Sequence, residues 1–233
     1  MRPRFLPILL AFAVVSAAHL FGEFNDRNGL VNGSKMWLMP TLAAWFWFET
    51  RRFSGISTRN WVISGLVFSW LGDCLLIFSG EKSAIPFFLL GLGAFLIAHI
   101  CYFLAFLKFS TNKYGPSKTN ILVLLPFAIY LLAMDSYLWP SLPNELRLPV
   151  ILYSLTICSM AVGATRLFGK MAARAARIVL VGALFFICSD SLLAVNKFAQ
   201  PFPNAGFFIM LTYILGQFGI AFGVWRGLEK SSQ

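Results

Sequence analysis

Apolar runs of membrane-spanning length follow one another along the whole chain, separated by short polar stretches. They predict eight spans, roughly Phe5–Phe21, Lys35–Phe48, Asn60–Phe78, Ala84–Leu107, Thr119–Leu138, Leu148–Thr165, Arg177–Asn196 and Asn204–Trp225. The connections are short and rich in turn formers: Ser79-Gly80-Glu81-Lys82, Tyr114-Gly115-Pro116, Pro140-Ser141-Leu142-Pro143-Asn144 and Pro201-Phe202-Pro203-Asn204. Trp61, Trp139 and Trp225 fall near span ends, where an indole ring sits at headgroup level. The first run, RPRFLPILLAFAVVSAA, has the basic start and small-residue end of a signal peptide, but the charge distribution described below favours a retained span.

The polar positions that interrupt these runs carry the information. In span seven, Gly182 to Phe198 reads GALFFICSDSLLAVNKF and sets one carboxylate, Asp190, between apolar turns. An aspartate at the centre of a spanning helix costs about 2.5–3.5 kcal/mol on insertion scales, so it marks a site unless it only bonds a neighbouring helix. Leu193, Ala194 and Lys197 share its helical face, with Lys197 two turns on, about 10 Å away. Span three repeats the pattern. GLVFSWLGDCLL, from Gly65 to Leu76, aligns without a gap on GALFFICSDSLL, pairing Gly65 with Gly182, Phe68 with Phe185 and Asp73 with Asp190. Leu and Phe match cheaply in membrane sequences, so the Gly and Asp pairs carry the inference of an internal repeat. Four helices per half is an even number, so the repeats run parallel. The expectation is one transmembrane domain over residues 1–233, with halves of about 1–118 and 119–233. Both Asp residues then lie roughly 18–20 Å from the cytoplasmic start of their helices.

Composition agrees with the pattern. The chain is 58% hydrophobic and 12% charged, with a mean hydropathy of +0.75, which predicts an integral membrane protein and not a soluble domain. A net charge of +10 raises the question of nucleic acid, but no aromatic-basic motif accompanies it, and no nucleic-acid partner is expected. Its distribution points to topology instead. With the N-terminus in the cytoplasm, only Arg27, Lys35, Lys82, Arg147 and Lys197 fall on the far side. The other fourteen of the 19 Lys and Arg, from Arg2 and Arg4 through Arg51, Arg52, Arg59, Lys108, Lys113, Lys118, Arg166, Lys170, Arg174 and Arg177 to Arg226 and Lys230, fall inside. The fold class this predicts is all-α and polytopic, with eight transmembrane helices in two parallel four-helix repeats and both termini cytoplasmic. The short loops suggest a bacterial inner membrane.

Other intramembrane polar residues fall at comparable depth. His99 and Tyr102 are three apart in span four, and Tyr213 and Gln217 four apart in span eight, each pair on one face. His99 and Gln217 both lie eight residues from the cytoplasmic ends of their helices, at Leu107 and Trp225. Any one of these is more often glue between helices than a catalyst, and Tyr102 and Tyr213 are more often packing residues. Together with the matched carboxylates they suggest a buried polar chamber. His19, near the end of span one, is expected to meet water. Asn196 and Lys197 also fit a plain helix end that snorkels to the surface. Cys74, Cys101, Cys158 and Cys188 show neither metal spacing nor a disulfide framework. With two His and no HxxxH or HExxH spacing, no metal and no cofactor is expected. GxSxG and nucleotide-phosphate loops are absent from the sequence.

Gly72-Asp73, His99-x-x-Tyr102, Ser189-Asp190-x-Leu192-x-Ala194-x-x-x-Phe198 and Thr212-Tyr213-x-x-x-Gln217 resemble the YhhN-like family. Lys35, Met39, Pro40 and Leu42 resemble its Lys-Pro-Leu-Thr-Met-Pro-Leu-Leu pattern at the start of span two, with Met36 in place of the first proline. That family includes the eukaryotic lysoplasmalogenases, eight-helix hydrolases that cut the vinyl ether bond of lysoplasmalogens. The resemblance implies a lysophospholipid substrate drawn from the bilayer. A vinyl ether hydrolyses through protonation of its β-carbon to an oxocarbenium ion, as in glycoside cleavage, where two carboxylates serve. Asp73 and Asp190 are the expected acid/base pair, one kept protonated by the other. His99 is a reserve proton carrier. Tyr102, Tyr213 and Gln217 would orient water or the ether oxygen, Lys197 would meet the lipid phosphate, and Ser189, Asn196 and Lys35 complete the substrate-binding candidates. Without the resemblance, a proton-coupled transporter or lipid-moving protein fits the repeats and carboxylates equally well. A scaffold fits neither Asp.

Overall fold

The computed structural model of the chain describes residues 4–53, 56–78, 85–109 and 121–231. Arg2, Lys82, Lys113, Lys118 and the expected turns Ser79–Lys82 and Tyr114–Pro116 lie outside the described residues. Within them the chain is all helical, with eight long helices: α1 Leu6–Phe24, α2 Asn28–Thr50, α3 Ile56–Ile77, α4 Ile85–Lys108, α5 Leu124–Leu138, α6 Asn144–Thr165, α7 Ala173–Ala194 and α8 Ala205–Ser231. They fall into two compact units, one of Met1–Phe109 with Leu228–Gln233, the other of Ser110–Gly227.

In the first unit α1 packs on α2, α2 on α3 and α3 on α4. The α1–α2 turn is tight. Asp26 takes φ 52°, a left-handed value that aspartate tolerates better than most residues, and the Arg27 amide closes back on the Gly22 carbonyl at 2.9 Å. At the other end of these helices a buried carboxylate acts as a tie. Glu49 Oε1 accepts the Phe5 amide at 2.8 Å, and its Oε2 lies 3.8 Å from the Arg52 guanidinium. Helices α3 and α4 approach closely because glycines receive aromatic rings. A Cβ on Gly65 would stand 2.5 Å from the Tyr102 ring, and one on Gly72 2.7 Å from Phe95.

In the second unit α5 packs on α6 and α6 on α7. Gly169, at φ 84°, makes the turn into α7 in the left-handed region that a side chain would strain. Helices α7 and α8 meet backbone to backbone. A Cβ on Gly182 would come 2.6 Å from the Ile220 nitrogen, and one on Gly219 2.8 Å from the Gly182 Cα. Such small-residue contacts are what hold helices together in lipid, where burying apolar surface gains little.

Among the described residues, six helices are long and apolar enough to cross a membrane: α1, α3 from Ser57, α4 from Pro86, α6, α7 with the turn after it to Ala199, and α8. The expected eight therefore divide into six that meet the criterion and two that do not. α5 has 15 residues, about 22 Å of helix against the roughly 30 Å of a hydrocarbon core. α2 has 23 residues, but Asn28, Asn32, Ser34 and Lys35 dilute its apolar character. Those same residues hid its true start: the helix begins at Asn28, so Lys35 stands two turns inside it and not at its edge. Leu10, Val14, Leu125, Leu132, Leu152 and Val181 are exposed on the helix surfaces, a distribution suited to lipid as solvent and not to water.

Candidate functional site

The first unit places Asp73, on α3, in the interior and brings Lys35 of α2 to it. The Lys35 Nζ lies 3.9 Å from Asp73 Oδ1, with the carboxylate almost fully enclosed and the ammonium 15% exposed. The sequence assigned Lys35 to substrate binding and did not pair it with Asp73. Their pairing rests on α2 extending far enough to present Lys35 from within the helix. Beside them His19 is fully buried, its Nδ1 2.9 Å from Ser34 Oγ and its Nε2 3.6 Å from Glu23 Oε1. This corrects the expectation that His19 meets water: the ring is enclosed between α1 and α2, with Ser34 on one nitrogen and the other, Nε2, buried without a hydrogen-bond partner among the described residues.

His99 and Tyr102, on α4, are both fully buried. Gly65 against Tyr102 and Gly72 against Phe95 fix an antiparallel register for α3 and α4. In that register His99 stands level with position 68 of α3, five residues from Asp73, or about 7 Å along the helix axis. Tyr102 lies a further turn away, its ring filling the space that Gly65 leaves.

In the second unit Asp190, on α7, receives a hydrogen bond from the Tyr153 hydroxyl of α6, at 2.5 Å to Oδ2. Around it the hydroxyls form local bonds. The Tyr130 hydroxyl of α5 meets Ser191 Oγ, Ser191 also bonds the Ile187 carbonyl at 2.5 Å, and Ser189 donates to the Ile209 carbonyl of α8 at 3.0 Å. Ser154, next to Tyr153, donates to Asp135 Oδ2 at 3.0 Å. After Asp190 the helix widens into a π turn, Val195–Ala199, which carries Asn196 and an exposed Lys197. Such turns occur often beside functional sites. Asn196 Oδ1 accepts the Phe202 amide at 3.3 Å, which ties down the loop that follows. Tyr213 is buried against Phe186, ring edge to face at 5.5 Å, and Gln217 is fully buried on the same helix.

Sequence reasoning missed Tyr130, Tyr153, Asp135 and Ser154. Tyr153 had a usable signal: a tyrosine in an apolar helix needs a partner for its hydroxyl, and the nearest unexplained acceptor was Asp190. Asp135 is a third carboxylate on an apolar helix, three residues from the end of α5, where it read as a span edge. In each unit, then, a buried or half-buried aspartate on a glycine-packed helix is met by a side chain from a neighbouring helix, an ammonium for Asp73 and a phenol for Asp190. Carboxylates so placed can hold or pass a proton in surroundings that contain little water.

A sequence model of the YhhN family matches residues 31–224. Among curated proteins, a "Lysoplasmalogenase" of Mycobacterium tuberculosis is 29% identical over 73% of this chain and 62% of its own length. The "Lysoplasmalogenase TMEM86B" of Homo sapiens is 32% identical over 69% of this chain and 62% of its own. The chain thus spans less than two thirds of the length of these relatives. The "Lysoplasmalogenase TMEM86A" of Homo sapiens is 31% identical over 74% of this chain and 68% of its own length. No solved structure matches the chain. The family model covers the helices that carry Lys35, Asp73, His99, Asp190 and Gln217, and on that match this chain belongs to the YhhN family.

Proposed function

We propose that the protein is an intramembrane hydrolase that cleaves the vinyl ether bond of lysoplasmalogen-type lysophospholipids to a fatty aldehyde and a glycerophospho-alcohol. The observation that carries this reading is Asp73, a buried carboxylate held beside Lys35 within a membrane helix, in a chain whose relatives bear the name lysoplasmalogenase. The reaction needs a proton for the β-carbon of the vinyl ether, negative charge near the resulting oxocarbenium ion, and a water to capture it. The hemiacetal so formed collapses to the aldehyde and the alcohol, and the proton returns to the enzyme. Asp73 and Asp190 take the acid and base roles. Lys35 supplies the counter-charge that lets Asp73 stay in place as a carboxylate, and Tyr153 holds Asp190 through the hydroxyl bond. His99, Tyr102, Tyr213 and Gln217 set the polar surroundings, with Ser189 as a helix fastener and Lys197 as the phosphate contact.

The same reading keeps eight crossings, both termini in the cytoplasm, a bacterial inner membrane, and two halves related as repeats. What supports the repeat is the matched packing inside each unit. Gly65 takes Tyr102 as Gly182 takes Ile220, and Gly72 lies by Gly91 as Ser189 bonds Ile209. One offset between α4 and α8, and one between α3 and α7, relates all four contacts.

The test is purified protein in detergent, given an alkenyl-lysophospholipid and its saturated alkyl-ether analogue. Only the alkenyl lipid has a carbon to protonate, so aldehyde should form from it alone. Detergent removes any gradient, so a carrier would do nothing here. Folded protein that releases no aldehyde from alkenyl-lysophospholipids of either headgroup would refute the proposal.

A further inference from the structure

On the surface of the first unit a cleft of about 530 Å³ opens between α2 and α3, within the size range of small-molecule sites. Met36, Pro40 and Ala43 line it from α2, and Leu66, Val67 and Trp70 from α3. The spacing explains why it is one continuous trough. Positions 36, 40 and 43 share a face of α2, and positions 66, 70 and 73 share a face of α3. The two rows run antiparallel, so Ala43 stands by Leu66 at one end and Lys35 meets Asp73 at the other. Trp70 fixes the wall near the charged end, its indole N–H donating to the Met36 carbonyl at 2.9 Å. From the ion pair to Ala43 is eight residues, about 12 Å of apolar trough. Met36 and Val67 are exposed along its open side, which leaves it accessible from the surface of the unit.

We infer that this cleft holds the single hydrocarbon chain of the substrate, with the chain's polar end at Lys35 and Asp73. The occupant follows from the shape and the charge. One trough takes one chain, which suits a single-chain lysolipid. The residues that line the cleft are uncharged, and the Lys35–Asp73 pair stands one residue before Met36 and three after Trp70, so partners for the polar end of a lipid lie at one end of the two rows. In a vinyl ether lysolipid the reactive bond joins chain to headgroup, and Asp73 stands where trough gives way to ion pair. This rests on the hydrolase reading for the identity of the bond, and its test is independent of turnover.

A non-hydrolysable alkyl-ether lysophospholipid with a photoreactive group midway along its chain is irradiated with the parent protein in lipid nanodiscs. Adducts are mapped by peptide mass spectrometry. The expected adducts lie on the segments around Pro40–Ala43 and Leu66–Val67, and excess unlabelled lysolipid suppresses them by about tenfold, whereas diacyl phospholipid does not. Filling the far end with Ala43→Phe lowers the same adducts. Labelling spread evenly over exposed helix surfaces such as Leu10 and Val14, or competed equally by diacyl lipid, would overturn the inference. Specific cleft labelling in protein that releases no aldehyde would keep the chain site and refute the hydrolase.

Discussion

At the scale of single residues, two aspartates in comparable sequence settings have different partners, and the difference is testable. Breaking a fully buried ion pair from one side costs about 3–5 kcal/mol, and Lys35 keeps 15% exposure. Lys35→Met should therefore destabilise the protein by roughly 2–3 kcal/mol, seen as a lower Tm in detergent. Adding Asp73→Asn to Lys35→Met should recover part of that loss, because the orphaned charge is gone; no recovery would mean the pair contributes nothing. Tyr153→Phe removes one hydrogen bond to a charged group, worth about 1.5–3 kcal/mol. The expected result is a fall in kcat of about tenfold to hundredfold with KM little changed. A rise in KM at constant kcat would assign Tyr153 to substrate binding instead. Asn196→Ala should lower Tm by releasing the Phe202 amide that its Oδ1 accepts, and a rise in KM for lysolipid beside it would assign Asn196 to substrate binding as well. Asp73 and Asp190 were legible in the sequence because a carboxylate stands out in an apolar run. Tyr153 was not, because its role depends on which face of α6 meets α7, and an aromatic residue in a membrane span has a default explanation in packing.

At the scale of helices, glycine separates two kinds of position. Gly182 and Gly219 sit where two backbones touch, so Gly219→Leu should abolish the α7–α8 contact and with it most folded protein on size exclusion. Gly93, within α4, has nothing within 4 Å of an added Cβ. Gly93→Ala should be neutral or stabilising by up to about 1 kcal/mol, the ordinary helix preference for alanine. Equal damage from both would contradict the packing described. Gly219-x-x-x-Gly223 was there to be read as a close-packing motif. Helix number and order were legible from the apolar runs, but helix ends were not. Hydropathy marks where lipid ends, whereas a helix continues as long as its backbone bonds do. That is why α2 starts at Asn28 and α7 at Ala173, each before the predicted edge. The π turn after Asp190 left no trace in the sequence, since a single extra residue per turn needs no special composition.

At the scale of the molecule, the two units each carry one aspartate that the proposed reaction needs, and the apolar cleft belongs to the first. Helix count was legible from the chain alone, while the cleft was not, because it exists only where two antiparallel rows of side chains face each other. The central claim is protonation of carbon followed by capture of water, and one experiment reads both. An alkenyl-lysophospholipid is turned over in deuterium oxide by the parent, Asp73→Asn and Asp190→Asn proteins, and the aldehyde is reduced at once and weighed by mass spectrometry. The account predicts one deuterium on the carbon next to the carbonyl in the parent product, and no product above background from either folded variant. Aldehyde that carries no deuterium at that carbon, or undiminished release from Asp73→Asn or Asp190→Asn, would contradict it.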